Sequence, residues 1–389
     1  MKHTFLKTIS FLLACLLFLS GSLLCASAQG TGESAAIGGL DLPCASAILM
    51  DAKTGRVLYE QNADAALPPA SVTKIMTLLL VMEALDGGRI SLSDEVSVSA
   101  HAASMGGSQV YLKDGERMTV EEMLKCVIIA SANDCAVALA EFVAGSEESF
   151  VAAMNARAAE LGMVNTHFEN TNGLDDTATS HLTSARDIAL MSAALIAHPK
   201  ILEYSGIWMD TIRDGAFGLT NTNRLVRFYP GCTGLKTGST AKAKFCISAT
   251  AERDGLSLIC VIMAAETRDV RNATAAKLLD YGFANYAAYA TEGGARCLPV
   301  LGGVADACNV RYDAFTATVP KGERAKVTVE TELPEALCAP IAAGEQVGRI
   351  VYRLNGEEIG TVPIVAESEV GKMNLTTLFC RMLAKFLLI

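Results

Sequence analysis

A strongly apolar run occupies residues 75–85 of the 389-residue chain. It is too long for an ordinary strand, two prolines stand shortly before it, and a Gly-Gly pair follows it. The pattern therefore predicts a buried helix over residues 71–85, with Ser71 and Lys74 in its first turn. Because residues three apart lie on one face of a helix, the Ser71 hydroxyl and the Lys74 amine can meet there.

Other segments show strand and helix patterns in a definite order. Strand patterns, with Asp254-Gly255 as a hairpin turn, cover residues 44–61, 96–98, 234–238, 244–250 and 256–263. Helix patterns cover residues 119–130, 134–144, 147–161, 184–197 and 270–289. Strands early, helices in the middle and strands late predict an α+β fold in which helices cover an antiparallel sheet.

The pattern changes near residue 293 to short alternating stretches. Residues 347–354 alternate in this way, and Asn355-Gly356 directly after them is a strong hairpin turn. We therefore predict a main domain over residues 35–292 and a small all-β domain over residues 293–368.

The N-terminus has the pattern of a targeting segment. Basic residues precede an apolar run over residues 9–24, and small residues end at Ala28. This pattern predicts a secretory signal peptide over residues 1–28, with an uncleaved membrane anchor as the alternative. We expect the protein to be exported.

The C-terminus, residues 372–389, has the pattern of an amphipathic helix. Its apolar residues recur at helical spacing, and they are Leu375, Leu378, Phe379, Met382, Leu383, Phe386 and Leu387. Its charges are all positive, from Lys372, Arg381 and Lys385, which suits anionic lipid head groups. The stretch is shorter than the ~20 residues of a membrane span. We therefore predict attachment to the outer face of the cytoplasmic membrane, with packing on the β domain as the alternative.

The composition is that of an ordinary globular protein, with 51% hydrophobic and 19% charged residues. The formal net charge of -10 argues against a nucleic acid partner. The twelve cysteines show no Cys-x-x-Cys or histidine-linked spacing, so we expect no metal site, and we expect no cofactor. The spacing leaves both disulfides and free buried thiols open.

The candidate chemistry lies in three ordered motifs, Ser71-Val-Thr-Lys74, Ser131-Ala-Asn133 and Lys236-Thr237-Gly238. Each motif alone is weak, because Ser239-Thr-Ala-Lys242 and Lys53-Thr-Gly55 fit two of the same patterns. The chosen motifs are better placed, at a helix start, in a turn between two predicted helices, and on a predicted strand. A serine beside an amine is an arrangement for nucleophilic catalysis.

The ordered trio resembles the motifs of the low-molecular-mass penicillin-binding protein family, the D-alanyl-D-alanine carboxypeptidases. The similarity extends over nearly the whole mature chain, and the matching segments are residues 51–62, Pro-Ala-Ser-Val-Thr-Lys at 69–74, Ser-Ala-Asn-Asp-Cys-Ala at 131–136, Ser-Ala-Arg-Asp at 184–187 and Gly-Leu-Lys-Thr-Gly at 234–238. The resemblance implies a penicillin-binding serine peptidase domain over residues 35–292.

The resemblance also implies a reaction. Ser71 would attack the carbonyl between the two terminal D-alanines of a peptidoglycan stem peptide, and water would hydrolyse the acyl-enzyme. Lys74 would be the base, provided that burial and the charge of Lys236 lower its pKa. Ser131 would pass the proton to the leaving amine. β-Lactam antibiotics would be covalent inhibitors that acylate Ser71.

The resemblance further assigns substrate-binding roles. Asn133 would hold the substrate amide, and the backbone N–H groups of Ser71 and Ser239 would form the oxyanion hole. Gly238 belongs to the same substrate-binding set. The candidates for binding the substrate carboxylate are Lys236, Thr237 and Arg271. Ser239 stands where some relatives carry histidine. The remaining histidines, His101, His167, His181 and His198, are interpreted as structural or surface residues.

Two other functions are open alternatives. A serine β-lactamase normally carries a glutamate loop for deacylation, and Glu169-Asn170 is no clear equivalent of it. A non-catalytic wall-binding protein on the same fold would typically lack a motif residue, whereas all of them are present here.

Overall fold

A five-stranded antiparallel sheet organises the first part of the protein in this computed structural model, which describes residues 40–175 and 178–387. Its strands are β1 (Ser46–Asp51), β2 (Val57–Gln61), β7 (Cys232–Thr240), β8 (Lys244–Arg253) and β9 (Leu256–Ala265). They lie in the order β2-β1-β9-β8-β7. The sheet predicted from the strand patterns is confirmed. The predicted signal peptide lies outside the described residues.

The turn between β1 and β2 explains one of the false motif matches. Lys53-Thr-Gly55 forms this turn, in which the Asp51 carboxylate accepts the Lys53 N–H at 3.0 Å and the Thr54 hydroxyl at 2.7 Å. Gly55 has a φ of +69°, which favours glycine. These residues are structural and lie on the sheet edge opposite β7.

Helices cover the sheet on both faces. They are α1 (Lys74–Asp86), α2 (Ala100–Ala103), α3 (Val120–Lys125), α4 (Asn133–Ala144), α5 (Glu147–Glu160), α6 (Ala185–Ile196), α7 (Pro199–Ser205), α8 (Leu225–Phe228) and α9 (Arg268–Asn285). Adjacent residues of a strand point to opposite faces. Ile48 of β1 belongs to the core that includes α1, α4 and α6, whereas Leu49 packs against α9.

Two predicted helices differ in detail. The segment predicted over 71–85 is a short 3-10 turn over Ala70–Thr73 followed by α1. The segment predicted over 119–130 begins with a capping box between Thr119 and Glu122, continues as α3, and ends in a π turn over Cys126–Ala130. Both irregular turns lead directly into motif residues.

Two short ribbons complete this part of the chain. One consists of β3 (Glu95–Ser97) and β4 (Arg117–Thr119), and the other of β5 (Met209–Ile212) and β6 (Phe217–Thr220). The helix predicted near 270–289 ends at Asn285, because residues 286–291 form a strand instead.

The later strands form the β-rich part that the alternating pattern predicted. They are β10 (Tyr286–Thr291), β11 (Gly294–Leu301), β12 (Ala307–Tyr312), β13 (Phe315–Pro320), β14 (Val327–Glu332), β15 (Leu337–Cys338), β16 (Gln346–Leu354) and β17 (Glu357–Ala366). β10 pairs with β13, and the others form a sheet in the order β14-β16-β17-β12-β11-β15. Its own core includes Val310, Tyr352 and Ile364. The α+β fold with an all-β addition is therefore confirmed.

A polar contact joins the two parts of the fold. The Thr318 hydroxyl of β13 donates to the buried carboxylate of Asp51, and Arg56 Nη1 donates to the Thr318 carbonyl oxygen at 2.6 Å. The cysteines of the described residues are free thiols, of which Cys126, Cys135, Cys246, Cys260 and Cys308 are buried.

The C-terminal helix α10 (Leu375–Leu387) has six large apolar side chains exposed among its described residues, and they are Leu375, Leu378, Phe379 (65%), Met382, Leu383 and Phe386 (89%). Arg381 forms an ion pair with Asp306 of the β-rich part. Within residues 40–175 and 178–387, no helix has both the length and the apolar character that crossing a membrane requires.

We predict that Gly282→Val destabilises the protein, because α9 approaches the sheet closely at this glycine. A Cβ at Gly282 would lie 2.6 Å from Leu258 Cδ1 and 2.8 Å from Leu49 Cδ2. Overpacking of this kind lowers the free energy of unfolding by about 1–3 kcal/mol. Chemical denaturation would measure it, with Ala284→Val on the exposed side of α9 as the control. A loss no larger than the control's ~0.5 kcal/mol would contradict the prediction.

Candidate active site

The 3-10 turn over Ala70–Thr73 presents Ser71 next to strand β7. A Cβ at Gly238 would lie 2.8 Å from both the Ser71 nitrogen and the Pro69 carbonyl oxygen. Real Cβ atoms are not found at such distances, so glycine lets the β7 backbone approach the turn. The backbone N–H of Ser71 therefore lies beside the backbone of β7, as the predicted oxyanion hole requires.

Lys74 connects three segments of the chain. Its side chain is fully buried, and its Nζ lies 3.0 Å from Ser71 Oγ, 2.6 Å from Asn133 Oδ1 and 2.7 Å from the Asn172 carbonyl oxygen. Asn133 Nδ2 donates to the Gly106 carbonyl oxygen at 2.7 Å, which turns Oδ1 towards Lys74. The predicted pairing of Ser71 with Lys74 is present, and Asn133 belongs to the same network.

The protons in this network can be assigned from the types of group present. The Asn172 carbonyl and Asn133 Oδ1 only accept hydrogen bonds. A neutral Lys74 amine has two N–H donors and one lone pair, and these two acceptors use both donors. The lone pair then faces the Ser71 hydroxyl. In the neutral state the geometry makes Lys74 an acceptor for the Ser71 proton.

The surroundings of Lys74 favour this neutral state. Burial is the largest effect that holds the pKa of Lys74 well below its usual value, the positive charge of Lys236 lowers the pKa further, and the Asp134 carboxylate opposes this shift. This shift favours the neutral amine, which is the form that a general base requires.

The Ser131-Ala-Asn133 motif is fixed by a neighbouring loop. Ser131 follows the π turn with a φ of +64°, and Asn133 begins α4. The Asn133 N–H donates to the Ser108 carbonyl oxygen at 2.7 Å. The buried carboxylate of Asp134 accepts the backbone N–H groups of Val110 and Leu112 at 3.0 and 3.1 Å. The loop over residues 106–112 thus orients Asn133 and fixes the start of α4.

The third motif lies on β7 and is positively charged. Lys236 is fully buried and its Nζ donates to the Thr237 carbonyl oxygen at 2.9 Å. Burial and the charge of Arg271 lower the pKa of Lys236 to about 7. Arg271 is only 3% exposed, and burial lowers its own pKa to about 10. Partly desolvated cations of this kind form a binding site for an anionic group.

A cavity of about 560 Å³ brings these groups together. Its lining includes Ser71, Ser108, Ser131, Trp208, Thr220, Asn221, Thr222, Arg224, Phe228, Thr237, Gly238, Ser239, Arg268 and Arg271. Six of the nine predicted site residues are in this lining, and the other three, Lys74, Asn133 and Lys236, are buried. In the part of the chain that the structure describes, no three His, Cys, Asp or Glu side chains come together as metal ligands.

Sequence reasoning missed several members of the site. Asn172 contributes a backbone carbonyl, which residue type does not reveal. Thr222 accepts a hydrogen bond from the Thr237 hydroxyl at 2.8 Å, and Trp208 lines the cavity from outside the motifs. The lysine of the second false match does not join this chemistry, since Lys242 is exposed and donates to the Asp175 carbonyl oxygen. Neither Thr222 nor Trp208 belongs to a recognisable sequence motif, so only the fold shows that they lie near β7.

Comparisons with known proteins agree with this geometry. Residues 31–267 match the family model described as D-alanyl-D-alanine carboxypeptidase, and residues 310–372 match the C-terminal domain of penicillin-binding protein 5. The D-alanyl-D-alanine carboxypeptidase DacF of Bacillus subtilis is 42% identical over 346 residues, which cover 86% of this chain and 88% of the relative.

Solved structures show the same similarity. Penicillin-binding protein 5 from Haemophilus influenzae matches with a TM-score of 0.74 and 30% identity, over 86% of this chain and all of that one. Penicillin-binding protein D2 from Listeria monocytogenes, in its ampicillin-bound form, matches with a TM-score of 0.59 and 33% identity, over 63% of this chain and all of that one. The chain therefore belongs to the D-alanyl-D-alanine carboxypeptidase family and is a serine peptidase.

Proposed function

We propose that this peptidase removes the terminal D-alanine from peptidoglycan stem pentapeptides through an acyl-enzyme on Ser71. The observation that carries the proposal is the Lys74 network, in which two acceptors occupy the amine protons and leave the lone pair to Ser71. Such a buried base beside a serine has no purely structural explanation, because burying an amine is costly.

In the acylation step, Ser71 Oγ forms a bond to the carbonyl carbon between the two D-alanines. Its proton passes to Lys74, and a well-placed base contributes roughly 10²–10⁴-fold in rate. The backbone N–H groups of Ser71 and Ser239 stabilise the developing oxyanion. The contact between Gly238 and the Ser71 nitrogen supports this assignment, and each such donor is worth about 10²–10³-fold.

Collapse of the tetrahedral intermediate breaks the C–N bond. Ser131 passes the proton from Lys74 to the leaving amine, and D-alanine departs. Asn133 Oδ1 has a second lone pair, with which it accepts the N–H of the substrate amide. Water then attacks the ester, and hydrolysis frees Ser71 with its proton.

The substrate carboxylate binds to the cationic end of the cavity. Lys236, the Thr237 hydroxyl and Arg271 are its donors, as their burial and charge support. A bound carboxylate favours the protonated form of Lys236, whose pKa of about 7 in the free protein leaves it partly neutral. A β-lactam presents its carboxylate and strained amide to the same groups, in keeping with the ampicillin-bound relative.

The serine β-lactamase alternative is less well supported. Glu169, the only residue that the sequence suggested for this role, is half-buried, and its carboxylate accepts the backbone N–H groups of Thr179 and Ser180 at 2.8 Å each. It has no contact with Ser71 or Lys74 that would activate a deacylating water. The non-catalytic alternative leaves the Lys74 network unexplained.

We further propose that residues 1–28 are a signal peptide for export and that residues 35–292 and 293–368 are the two folded domains. Residues 372–389 then attach the exported enzyme to the outer face of the cytoplasmic membrane. The exposed apolar side chains of α10 and the absence of acidic residues in 372–389 support this attachment. The Arg381–Asp306 ion pair connects α10 to the β-rich part.

We predict that Ser71→Ala abolishes both D-alanine release from a pentapeptide and covalent penicillin binding. Loss of a nucleophile reduces kcat by roughly 10⁴–10⁶-fold. Mass spectrometry of digested protein should find the penicillin adduct on the peptide that carries Ser71. Ser239→Ala is the matched control, because it keeps the backbone N–H and should still form the adduct. A labelled Ser71→Ala protein would identify another nucleophile.

We predict that the acylation rate rises with pH around a midpoint far below the ordinary lysine pKa of about 10.4, since Lys74 must lose its proton. The Lys236 charge lowers the pKa of Lys74. Lys236→Gln should therefore shift the midpoint to higher pH, besides lowering the rate. Penicillin acylation measured from about pH 4 to 10 tests this shift. The exposed Lys242→Gln should leave the midpoint unchanged, and an unmoved midpoint in Lys236→Gln would contradict the electrostatic coupling.

We predict that deletion of residues 372–389 releases the protein from sedimenting vesicles that contain phosphatidylglycerol, with peptidase activity unchanged. The double variant Phe379→Ser with Phe386→Ser should weaken sedimentation as well, because it removes exposed apolar area. Thr376→Ser with Thr377→Ser is the matched control and should sediment like the wild type. Sedimentation of the truncated protein would refute the anchor.

A further inference from the structure

His181 lies behind the nucleophile turn, the 3-10 turn over Ala70–Thr73 that carries Ser71. The sequence around His181 did not reveal this position. Its ring is 7% exposed and packs edge-on against Phe168, with 5.7 Å between ring centroids. Nε2 lies 2.8 Å from the Thr73 hydroxyl, and Nδ1 accepts the Glu169 backbone N–H at 3.0 Å. Thr73 stands between Ser71 and Lys74 in the sequence and is itself fully buried.

The hydrogen-bond partners determine where the protons are. The Thr73 hydroxyl donates its one proton to the Ala70 carbonyl oxygen at 2.8 Å, so it can only accept from His181. Nε2 of His181 therefore carries a proton. Nδ1 carries none, because it accepts from a backbone N–H. His181 is thus a neutral imidazole with one defined tautomer.

The end of this chain of hydrogen bonds is a strained position. Ala70 has a φ of +50°, a conformation that costs a non-glycine residue roughly 1–2 kcal/mol. On its other side lies Gly173, where a Cβ would come within 1.8 Å of the Ala70 carbonyl oxygen. The direction of this carbonyl determines the direction of the next residue, which is Ser71.

We propose that His181 is a positioning residue for the nucleophile: its Nε2–H, through the Thr73 hydroxyl, holds the Ala70 carbonyl and with it the orientation of Ser71. The inference rests on the proposed role of Ser71. It assigns to His181 no contact with substrate and no proton transfer. Its contribution lies in the acylation rate of bound inhibitor or substrate, since a misplaced nucleophile slows the step by up to about 10²-fold.

The neutral ring is suited to this role over the working pH range. Burial lowers the pKa of His181 to about 4, with the Glu169 carboxylate opposing and His167 reinforcing the shift. The donor at Nε2 is consequently retained at neutral pH without a buried positive charge near Lys74.

Two substitutions of His181 distinguish the roles of its two ring nitrogens. His181→Gln places an amide N–H near the position of Nε2 and can still donate to Thr73. His181→Asn places its polar atoms near Nδ1, where it can accept from Glu169 but cannot reach Thr73. Thr73→Val removes the relaying hydroxyl at similar volume, and Thr73→Ser retains it. The readouts are the limiting rate of penicillin acylation, the concentration for half-maximal rate, and the thermal unfolding midpoint.

We expect His181→Asn and Thr73→Val to lower the limiting acylation rate about 10–100-fold, with little change in the half-maximal concentration. His181→Gln and Thr73→Ser should stay within about threefold of the wild type. The combined His181→Asn, Thr73→Val protein should be no slower than either variant alone, because both act on one path. Unfolding midpoints of the Asn and Gln variants should be similar.

Equal rates for His181→Asn and His181→Gln would overturn the proposal, and so would a Thr73→Val protein that acylates at the wild-type rate. These outcomes differ from a failure of the proposed function. A wild-type protein that forms no adduct on Ser71 would refute the function itself. If the wild type is acylated but the His181→Asn and His181→Gln variants acylate at equal rates, only the role of His181 is refuted.

Discussion

The hydrogen bonds of the Lys74 amine constrain the rest of the structure. An amine buried without partners would be strongly unfavourable, so every segment that supplies a partner must be in place. The turn before α1 supplies Ser71, the start of α4 supplies Asn133, and the loop beyond α5 supplies the Asn172 carbonyl. Three segments distant in sequence therefore converge on one nitrogen atom. The helices around α1 can be understood as the scaffold that holds these partners.

Two further cationic side chains, Lys236 and Arg271, interact electrostatically in series with the Lys74 amine. Arg271 lowers the pKa of Lys236, and Lys236 lowers the pKa of Lys74. Each effect acts through burial and like charge, which cost stability in the free protein. In the proposed reaction, a bound substrate carboxylate would offset the repulsion at Lys236 and Arg271. On the proposed function, this loss of stability is the cost of a site that would recognise an anionic terminus and keep a neutral base next to the serine.

The sequence predicted the residues whose type carries the chemistry. The order of the three motifs, together with the family that they resemble, predicts that Ser71, Lys74 and Lys236 share one site. The sequence did not reveal partners whose contribution is positional. Asn172 acts through its backbone, and His181 was interpreted as structural because a single histidine carries no periodic signal. The strand over 286–291 was also missed, since its pairing partner β13 lies more than twenty residues away.

The placement of Ser71 depends on the backbone more than on side chains. Gly238 on one side and Gly173 on the other lack the Cβ atoms that would otherwise strike the nucleophile turn. Protein interiors are close-packed, so a turn held between two chain segments has little room to move. Attack on a carbonyl requires the reacting atoms to be held within a narrow range. Close packing of this kind fixes Ser71 before substrate binds. It also allows the buried His181, which contacts the turn through Thr73, to influence the direction of attack.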